Sequence, residues 1–391
     1  MKTEDFSPSA PGRLIKTLTG YYAFIPNPLP PELTWSDELV SAVSNAERGL
    51  ARLAGLTSTF TKPQSMAAAF IRQEAVLSSR IEGTQSTLQD LYTYEAYQLP
   101  LIEYKSDVKE VYNYVKALEF GLKLLDTLPV SLRFFRELHN QLIKTTAGKH
   151  LTPGEFRRSQ NWIGPPGSTI ETAAFVPPPV EEMQAALSNL ESYINGHQSI
   201  PAALKLGLIH YQFESIHPFL DGNGRVGRLL VPLLLCAWDL LPQPFLIISV
   251  YFEKHRQRYY DLLLAVSRNG DWEDWLLFFL DGIFVQSKQA VNLIGCLSKI
   301  QTKYYQLVEH DRVADKLKNV IDFLLGQPVV SINQVVAGTS AANFNAAGRY
   351  INKLVAAGIL EEMTGAARNR IFVSREILQA IQHPVQEDGF E

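Results

Sequence analysis

The chain has 391 residues, 46% of them hydrophobic, which is enough for two or three domains with ordinary cores. A net charge of −4 argues against bulk electrostatic attraction to nucleic acid or acidic lipid. Cys236 and Cys296 lie far apart between apolar neighbours, so each is expected to be a buried free thiol, suited to a reducing cytoplasm. The first residues carry Glu4 and Asp5 and no apolar h-region, which does not read as a signal peptide. The greasiest run, Leu229 to Trp238, is too short to span a bilayer and contains Pro232, so it is expected as a core helix and no membrane partner is expected.

Taken in order, residues 1–34 are proline-rich, with Tyr21, Tyr22 and Phe24 beside Pro26, Pro28, Pro30 and Pro31. They predict an extended strap on the surface of a helical domain. An amphipathic helix follows from Asp37 to about Leu53. A second, from about Ser65 to Glu82, ends at Gly83, a natural C′ residue. Glu82 then falls in the last turn, where the helix dipole disfavours a carboxylate unless an external cation holds it. Ser78, one turn earlier, is within reach of that carboxylate. Water beside Arg80 serves Glu82 as well, and spacing alone leaves both readings open.

Helices are expected from Val108 to Leu124 and from Ser131 to Thr146, separated by a turn at 126–129. The segment Gly154-Glu155-Phe156-Arg157-Arg158 leads into a proline-rich loop. Two short β-like runs, around Ile163-Gly164 and Phe175-Val176, predict a hairpin there. Glu181 to Tyr193 and Ala202 to Ile216 read as helices. His210 sits seven residues before His217, which is not a metal-binding spacing, so it is expected to be structural.

The chemistry concentrates in Ile216-His217-Pro218-Phe219-Leu220-Asp221-Gly222-Asn223-Gly224-Arg225-Val226-Gly227-Arg228. An imidazole titrates near neutral pH and can take a proton from an attacking hydroxyl, which suits His217. Asp221 offers a hard oxygen to Mg²⁺. Gly222 and Gly224 let the backbone approach a ligand without a Cβ. Arg225 and Arg228 present planar forks for phosphate oxygens. The leucine-rich run after Arg228 predicts a helix whose N-terminus faces the same anion. The stretch also contains a formal G-x-G-x-x-G, but the preceding apolar stripe Leu206, Ile209, Phe213, Ile216 has helical spacing rather than that of a strand. A dinucleotide fold is thereby disfavoured.

From 243 to 284, Phe252, Tyr259 and Tyr260 read as core aromatics of a helical region. From 290 onwards, a helical stripe (Val313, Leu317, Val320, Ile321, Leu324) stops at Gly326 and Pro328. A short helix from Ser331 and a longer one from about Ser340 follow. Ile359 to Met363 and Arg370 to Val373 then flank Gly365-Ala366-Ala367 as a two-stranded wing. The order resembles a winged helix-turn-helix. Arg349, Lys353, Arg368 and Arg370 could meet DNA, yet Glu361 and Glu362 thin the basic footprint. A packing, target-docking or dimerisation module fits better.

The stretch from His217 to Arg228 resembles the signature of the Fic family, HPFx(D/E)GNGRxxR, at every specified position. The resemblance implies a mainly α fold: a Fic-type helical core with a small β-hairpin flap, followed here by a winged helix-turn-helix. It implies an enzyme that moves AMP from ATP to a Ser, Thr or Tyr hydroxyl of a target protein, and onto itself, with Mg²⁺. His217 would be the catalytic base and Asp221 the metal ligand. Gly222, Asn223, Gly224, Arg225 and Arg228 would meet the nucleotide, with Tyr260 or its neighbour on the adenine. Glycine at 224, where the Doc branch has lysine, goes with AMP transfer rather than phosphorylation. Ser78-x-x-x-Glu82-Gly83 resembles the family's (S/T)xxxE(G/N) inhibitory motif, which implies that Glu82 pairs with Arg228. The flap residues Ile163, Gly164, Phe175 and Val176 would dock the target strand. Rival readings are AMP removal with Glu82 positioning water, and a DNA-binding regulator whose core senses nucleotide; homodimerisation stays open. The expected division is 1–104, 105–289 and 290–391.

Overall fold

The computed structural model describes residues 1–60, 63–97, 106–144, 152–197, 199–365 and 368–383. It is mainly helical, with a two-stranded sheet near the start of the chain and a three-stranded one near the end. The chain divides into two compact units that do not follow chain order. The first comprises 1–51, 113–240 and 248–286, and the second 52–112, 241–247 and 287–391.

The first unit begins with β1 (Gly12–Lys16) and β2 (Tyr22–Pro26), antiparallel from Gly12↔Pro26 to Lys16↔Tyr22. The expected strap is therefore a hairpin, turned at Gly20, whose φ of +95° suits a residue without a Cβ. Helix α1 (Asp37–Thr57) starts here and α4 (Ser106–Leu124) ends here. They are followed by α5 (Leu132–Ile143), α6 (Val180–Asn195), α7 (Ala202–Ile216), α8 (Asn223–Ala237), α9 (Ile248–Lys254), α10 (Arg256–Asn269) and the first part of α11 (Trp272–Val308). Ser131 caps α5 by accepting from the Phe134 N–H. The expected end of that helix at Thr146 lies outside the described residues.

Helix α7 is buried almost all round, its polar residues Lys205, His210 and Gln212 included. It packs against α6, α8, α10 and β2. Where α7 carries Gly207, a Cβ would meet Phe279 and Leu276, and the Trp275 indole N–H donates to the Gly207 carbonyl at 3.0 Å. Buried in this cluster, His210 bonds the Tyr259 hydroxyl at 2.8 Å and the Gly227 carbonyl at 3.2 Å. Burial, then the Arg228 charge, push its pKa down to about 3, so it stays a neutral core histidine.

The second unit holds α2 (Pro63–Ile81), α3 (Leu88–Tyr97) and α12 (Ala314–Gly326). It continues with β3 (Val329–Ser331), α13 (Ile332–Gly338), α14 (Phe344–Ala356), β4 (Glu361–Glu362), β5 (Ile371–Val373) and α15 (Arg375–Gln382). The sheet order is β3-β5-β4, antiparallel throughout. A full capping box at Ser331 and Gln334 opens α13, and Asn343 caps α14. Ala366 and Ala367 of the expected wing lie outside the described residues. Neither Cys236 nor Cys296 is in a disulfide, and both are half-buried rather than buried as expected. Among the described residues, no helix is long and apolar enough to cross a membrane.

Candidate active site

Helix α7 ends where the candidate site starts. His217 is its C-cap, in the left-handed conformation at φ 49°, with its N–H bonded to the Phe213 carbonyl at 3.0 Å. A non-glycine residue held there is strained and needs surroundings that fix it. Its Nδ1 lies 3.3 Å from the Glu214 carbonyl. A carbonyl only accepts, so Nδ1 carries the hydrogen and Nε2 presents the basic lone pair.

The loop after His217 is pinned from several sides. Asn223 accepts from the Phe219 N–H and donates to the Phe219 carbonyl, both at 2.8 Å. Its side chain therefore shapes the loop, and what it offers a ligand is its backbone N–H. Asp221 is exposed and accepts from the Gly222 N–H at 2.7 Å; Arg225, nearly buried, lies 3.3 Å from the other carboxylate oxygen. Gly222 is the N-cap of α8 at φ 78°, and no side chain caps that end. The first helical bond runs from Val226 N–H to the Gly222 carbonyl at 2.9 Å. The amides of Asn223, Gly224 and Arg225 precede it, and with the helix dipole they make an anion-binding end. Arg228, one turn on, is fully buried. At Gly227 a Cβ would collide with the Glu214 carboxylate, so only glycine lets Glu214 lie across the start of α8.

Three residues to which the sequence reading gave no role hold this loop. Arg157, just before the flap, is buried. It donates through Nε to the His217 carbonyl at 3.0 Å, through Nη1 to Ser159 O at 3.2 Å and through Nη2 to Pro178 O. Its own N–H bonds the Pro218 carbonyl at 2.9 Å. Burial lowers its pKa to about 10, which leaves it cationic at neutral pH. Asn161 adds donors to Phe219 O at 2.8 Å and His217 O at 3.3 Å. His139 of α5 stacks on Phe219 with centroids 3.8 Å apart. The Gly154 N–H donates to its Nδ1 at 3.0 Å, so its Nε2 carries the hydrogen and donates to Asp221 O at 3.1 Å. Burial is the main cause pushing the His139 pKa down to about 4. The signal for Arg157 was present in the run from Gly154 to Arg158. A lone histidine on an amphipathic helix gave none for His139.

The flap is narrower than expected: a single antiparallel bridge, Ile163↔Phe175, rather than a hairpin of strands. Ile163 and Gly164 are exposed, as is Trp162, whose indole N–H donates to Ser168 O at 2.9 Å. Phe175 and Val176 are buried. Phe175 spends its N–H and carbonyl on Ile163, and Val176 O accepts from Phe24 of β2 at 2.9 Å. Ile163 spends its own N–H and carbonyl on Phe175 in the same bridge. Tyr260 is partly exposed on α10 with Arg256 over its ring at 5.9 Å, whereas Tyr259 is buried against His210.

Ser78 and Glu82 belong to the second unit. Helix α2 stops at Ile81, Gly83 follows at φ 110°, Ser78 is fully buried and Glu82 is exposed.

A mainly helical unit that delivers a strained histidine and an uncapped helix N-terminus from one glycine-rich loop defines the Fic fold. Residues 129–235 match the family described as Fic/DOC family, and residues 40–123 match Fic/DOC family N-terminal. Over these two segments the chain belongs to the Fic/DOC family. It is 31% identical over 157 residues to protein adenylyltransferase Fic of Aedes aegypti, covering 39% of this chain and 27% of that protein. It is 29% identical over 163 residues to the protein of that name from Drosophila grimshawi, covering 40% and 29%. The chain thus spans less than a third of the length of these curated relatives. A solved Fic family protein from Desulfovibrio desulfuricans G20 shares the fold, with a TM-score of 0.56 and 18% identity over 88% of this chain and 98% of that one. A Fic domain containing signaling protein from Bacteroides thetaiotaomicron aligns at a TM-score of 0.50 and 18% identity, over 66% and 96%.

Proposed function

We propose that this protein transfers AMP from ATP to a Ser, Thr or Tyr hydroxyl of a target protein, and to itself, and that Glu82 restrains the reaction by pairing with Arg228. The observation that carries the transfer is the setting of His217: its Nδ1 lies 3.3 Å from the Glu214 carbonyl, which assigns Nε2 as the base, on a loop that opens directly into the N-terminus of α8. His217 takes the hydroxyl proton as the oxygen attacks the α-phosphorus. The bond from that phosphorus to the bridging oxygen breaks, and pyrophosphate leaves. Arg225, Arg228 and the first amides of α8 face the charge that builds on the phosphates.

Asp221 fits a Mg²⁺ ligand. It is an exposed carboxylate, and no cluster of three or more metal-binding side chains occurs among the described residues. Mg²⁺ typically takes one or two carboxylates and fills its sphere with phosphate oxygens and water. When bound it neutralises phosphate charge. Arg225, which pairs with Asp221, is the partner it would displace.

For the tail, the element order and the β3-β5-β4 sheet favour the winged-helix reading. Two of the four basic residues expected to meet DNA pair with acids, Lys353 with Asp311 and Arg370 with Glu362. That weighs against DNA and for a module that docks or packs.

Intact mass after incubation with ATP and Mg²⁺ tests the proposal on wild type, Glu82→Gly and Glu82→Gly/His217→Ala. The expected result is a gain of one AMP that is strong in Glu82→Gly, weak in wild type and absent in the double variant. No gain in Glu82→Gly, with ATP binding intact by titration, would overturn it and favour AMP removal.

A further inference from the structure

The helix that leads to Glu82 is built into the C-terminal region of the chain. Helix α2 shares its unit with residues 287–391, not with the unit that carries His217. At the start of α2, α12 arrives backbone to backbone: a Cβ on Gly326 would collide with the Ser65 carbonyl oxygen and with the Ala68 side chain. In the middle of α2, Arg72 makes a bidentate pair with Glu95 of α3, at 2.8 and 3.0 Å, with both side chains almost wholly buried. Gln327, at the end of α12, donates to the same Glu95 carboxylate at 3.1 Å and to Val329 O at 3.3 Å. Gln334 of α13 donates to the Glu95 main-chain carbonyl at 3.1 Å, while its own oxygen accepts from the Ser331 N–H at 2.9 Å.

A buried ion pair is costly unless its remaining hydrogen-bonding capacity is met, and a satisfied network of this kind fixes register rather than adding much stability. Here the pair joins α2 to α3, and two glutamines flanking β3 tie it to the C-terminal elements. A shift of α12 or β3 breaks those bonds or drags α2 with it. Nothing in the proposed AMP transfer calls for such a network. A cavity of about 150 Å³, lined among others by Ser65, Met66, Gln301, Tyr305 and Leu325, opens at the same joint and gives the first turn of α2 room to repack.

We infer that the C-terminal region, residues 314–338 above all, is the regulatory seat of the α2 helix, so that a disturbance there withdraws Glu82 and releases the reaction. This rests on the reading of Glu82 as the restraint. The input is then whatever the C-terminal region docks, and the device that carries it is the Arg72–Glu95–Gln327–Gln334 network.

Two variants remote from His217 and its loop provide the test. Gly326→Ala forces α12 and α2 apart, and Gln327→Met, close in shape, removes only the bonds to Glu95 and Val329. Each is made in the wild-type and the Glu82→Gly backgrounds, and AMP gain is timed by intact mass. The expected result is a rise of about fivefold or more with Glu82 present, the low end of common coupling strengths, and no change when Glu82 is glycine. Equal effects in both backgrounds, or none with Glu82 present, would overturn the inference. Hydrogen exchange adds a readout independent of the chemistry: in Gln327→Met, amides of α2 and α3 should lose protection while those of α7 and α8 keep it. Unchanged protection of α2 would sink the inference even with activity intact. A Glu82→Gly protein that gains no AMP while α2 loses protection would strike the parent reading and leave the seat itself supported.

Discussion

Burying the charge of Arg157 is tolerable because three main-chain carbonyls share it, and one of them belongs to His217. Replacing it with methionine keeps the apolar stem and strips those carbonyls of their donor. Arg157→Met should cost about 3 kcal/mol by urea unfolding, since unpaired buried polar groups cost about 1–3 kcal/mol each. It should also slow AMP transfer, because the strained backbone at His217 loses a holder. Arg157→Lys should fall between; a methionine variant as stable as wild type would show that the clamp carries no weight. His139 makes a pH-dependent contribution. Its pKa is depressed to about 4 when folded, against an ordinary 6.5, so between those values the unfolded chain binds more protons. Its neutral, hydrogen-bonded form is fully present above pH 6.5, and stability falls as pH drops towards 4, by on the order of 3 kcal/mol. The stability gap between wild type and His139→Asn should therefore narrow on acidification, measured as urea midpoints from pH 7 to 4. A gap that widens would mean that the imidazole is not held neutral. The residues proposed for the chemistry announce themselves because acid, base and fork are packed into one short run. Those that hold the run in place do not, because any donor of the right length suffices and their positions, 139, 157 and 161, are set only by folding.

Among the elements, long helices were legible nearly to the residue: α7 spans Ala202–Ile216 as its apolar spacing predicts, and α2 stops one residue before Glu82. The prolines of residues 1–34 hid the hairpin. Its strands are five residues each, and its turn signal, Gly20, stands beside aromatics that read equally well as a strap. The hairpin matters because it stands behind the flap. Phe24, fully buried, stacks on Phe6 at 5.5 Å and lies tilted against Phe175 at 5.7 Å, and its N–H donates to the Val176 carbonyl. Ala23, Ala173 and Val176 form a small core there with Tyr21 and Ile170. Phe24→Ala should cost about 3–5 kcal/mol as a large-to-small change in a closed site. It should also loosen the flap, so that limited proteolysis cuts between residues 165 and 171 faster than in wild type. Equal cleavage rates would mean that the flap is positioned from the catalytic loop alone. Helix α3 escaped the sequence reading because it is short, ten residues, and its register is set by the Arg72–Glu95 pair and by β3 rather than by a clean apolar stripe.

At the scale of the whole molecule, the sequence suggests consecutive segments, while the compact units interleave. Helices α1, α4 and α11 each start in one unit and finish in the other. Hydrophobic periodicity shows where a helix runs but not which neighbour it will meet, so a helix shared by two units is invisible in it. This order has a consequence during synthesis. Helix α2 is complete at Ile81, but its partner α12 does not begin until Ala314. At the usual 5–20 residues per second, α2 waits roughly 10–50 s for the surface it will occupy. The unit that carries His217 ends at Gln286, before any of α12 has been made. A newly made chain can therefore assemble the unit that carries His217 first, and the helix that leads to Glu82 is among the last parts to find its seat.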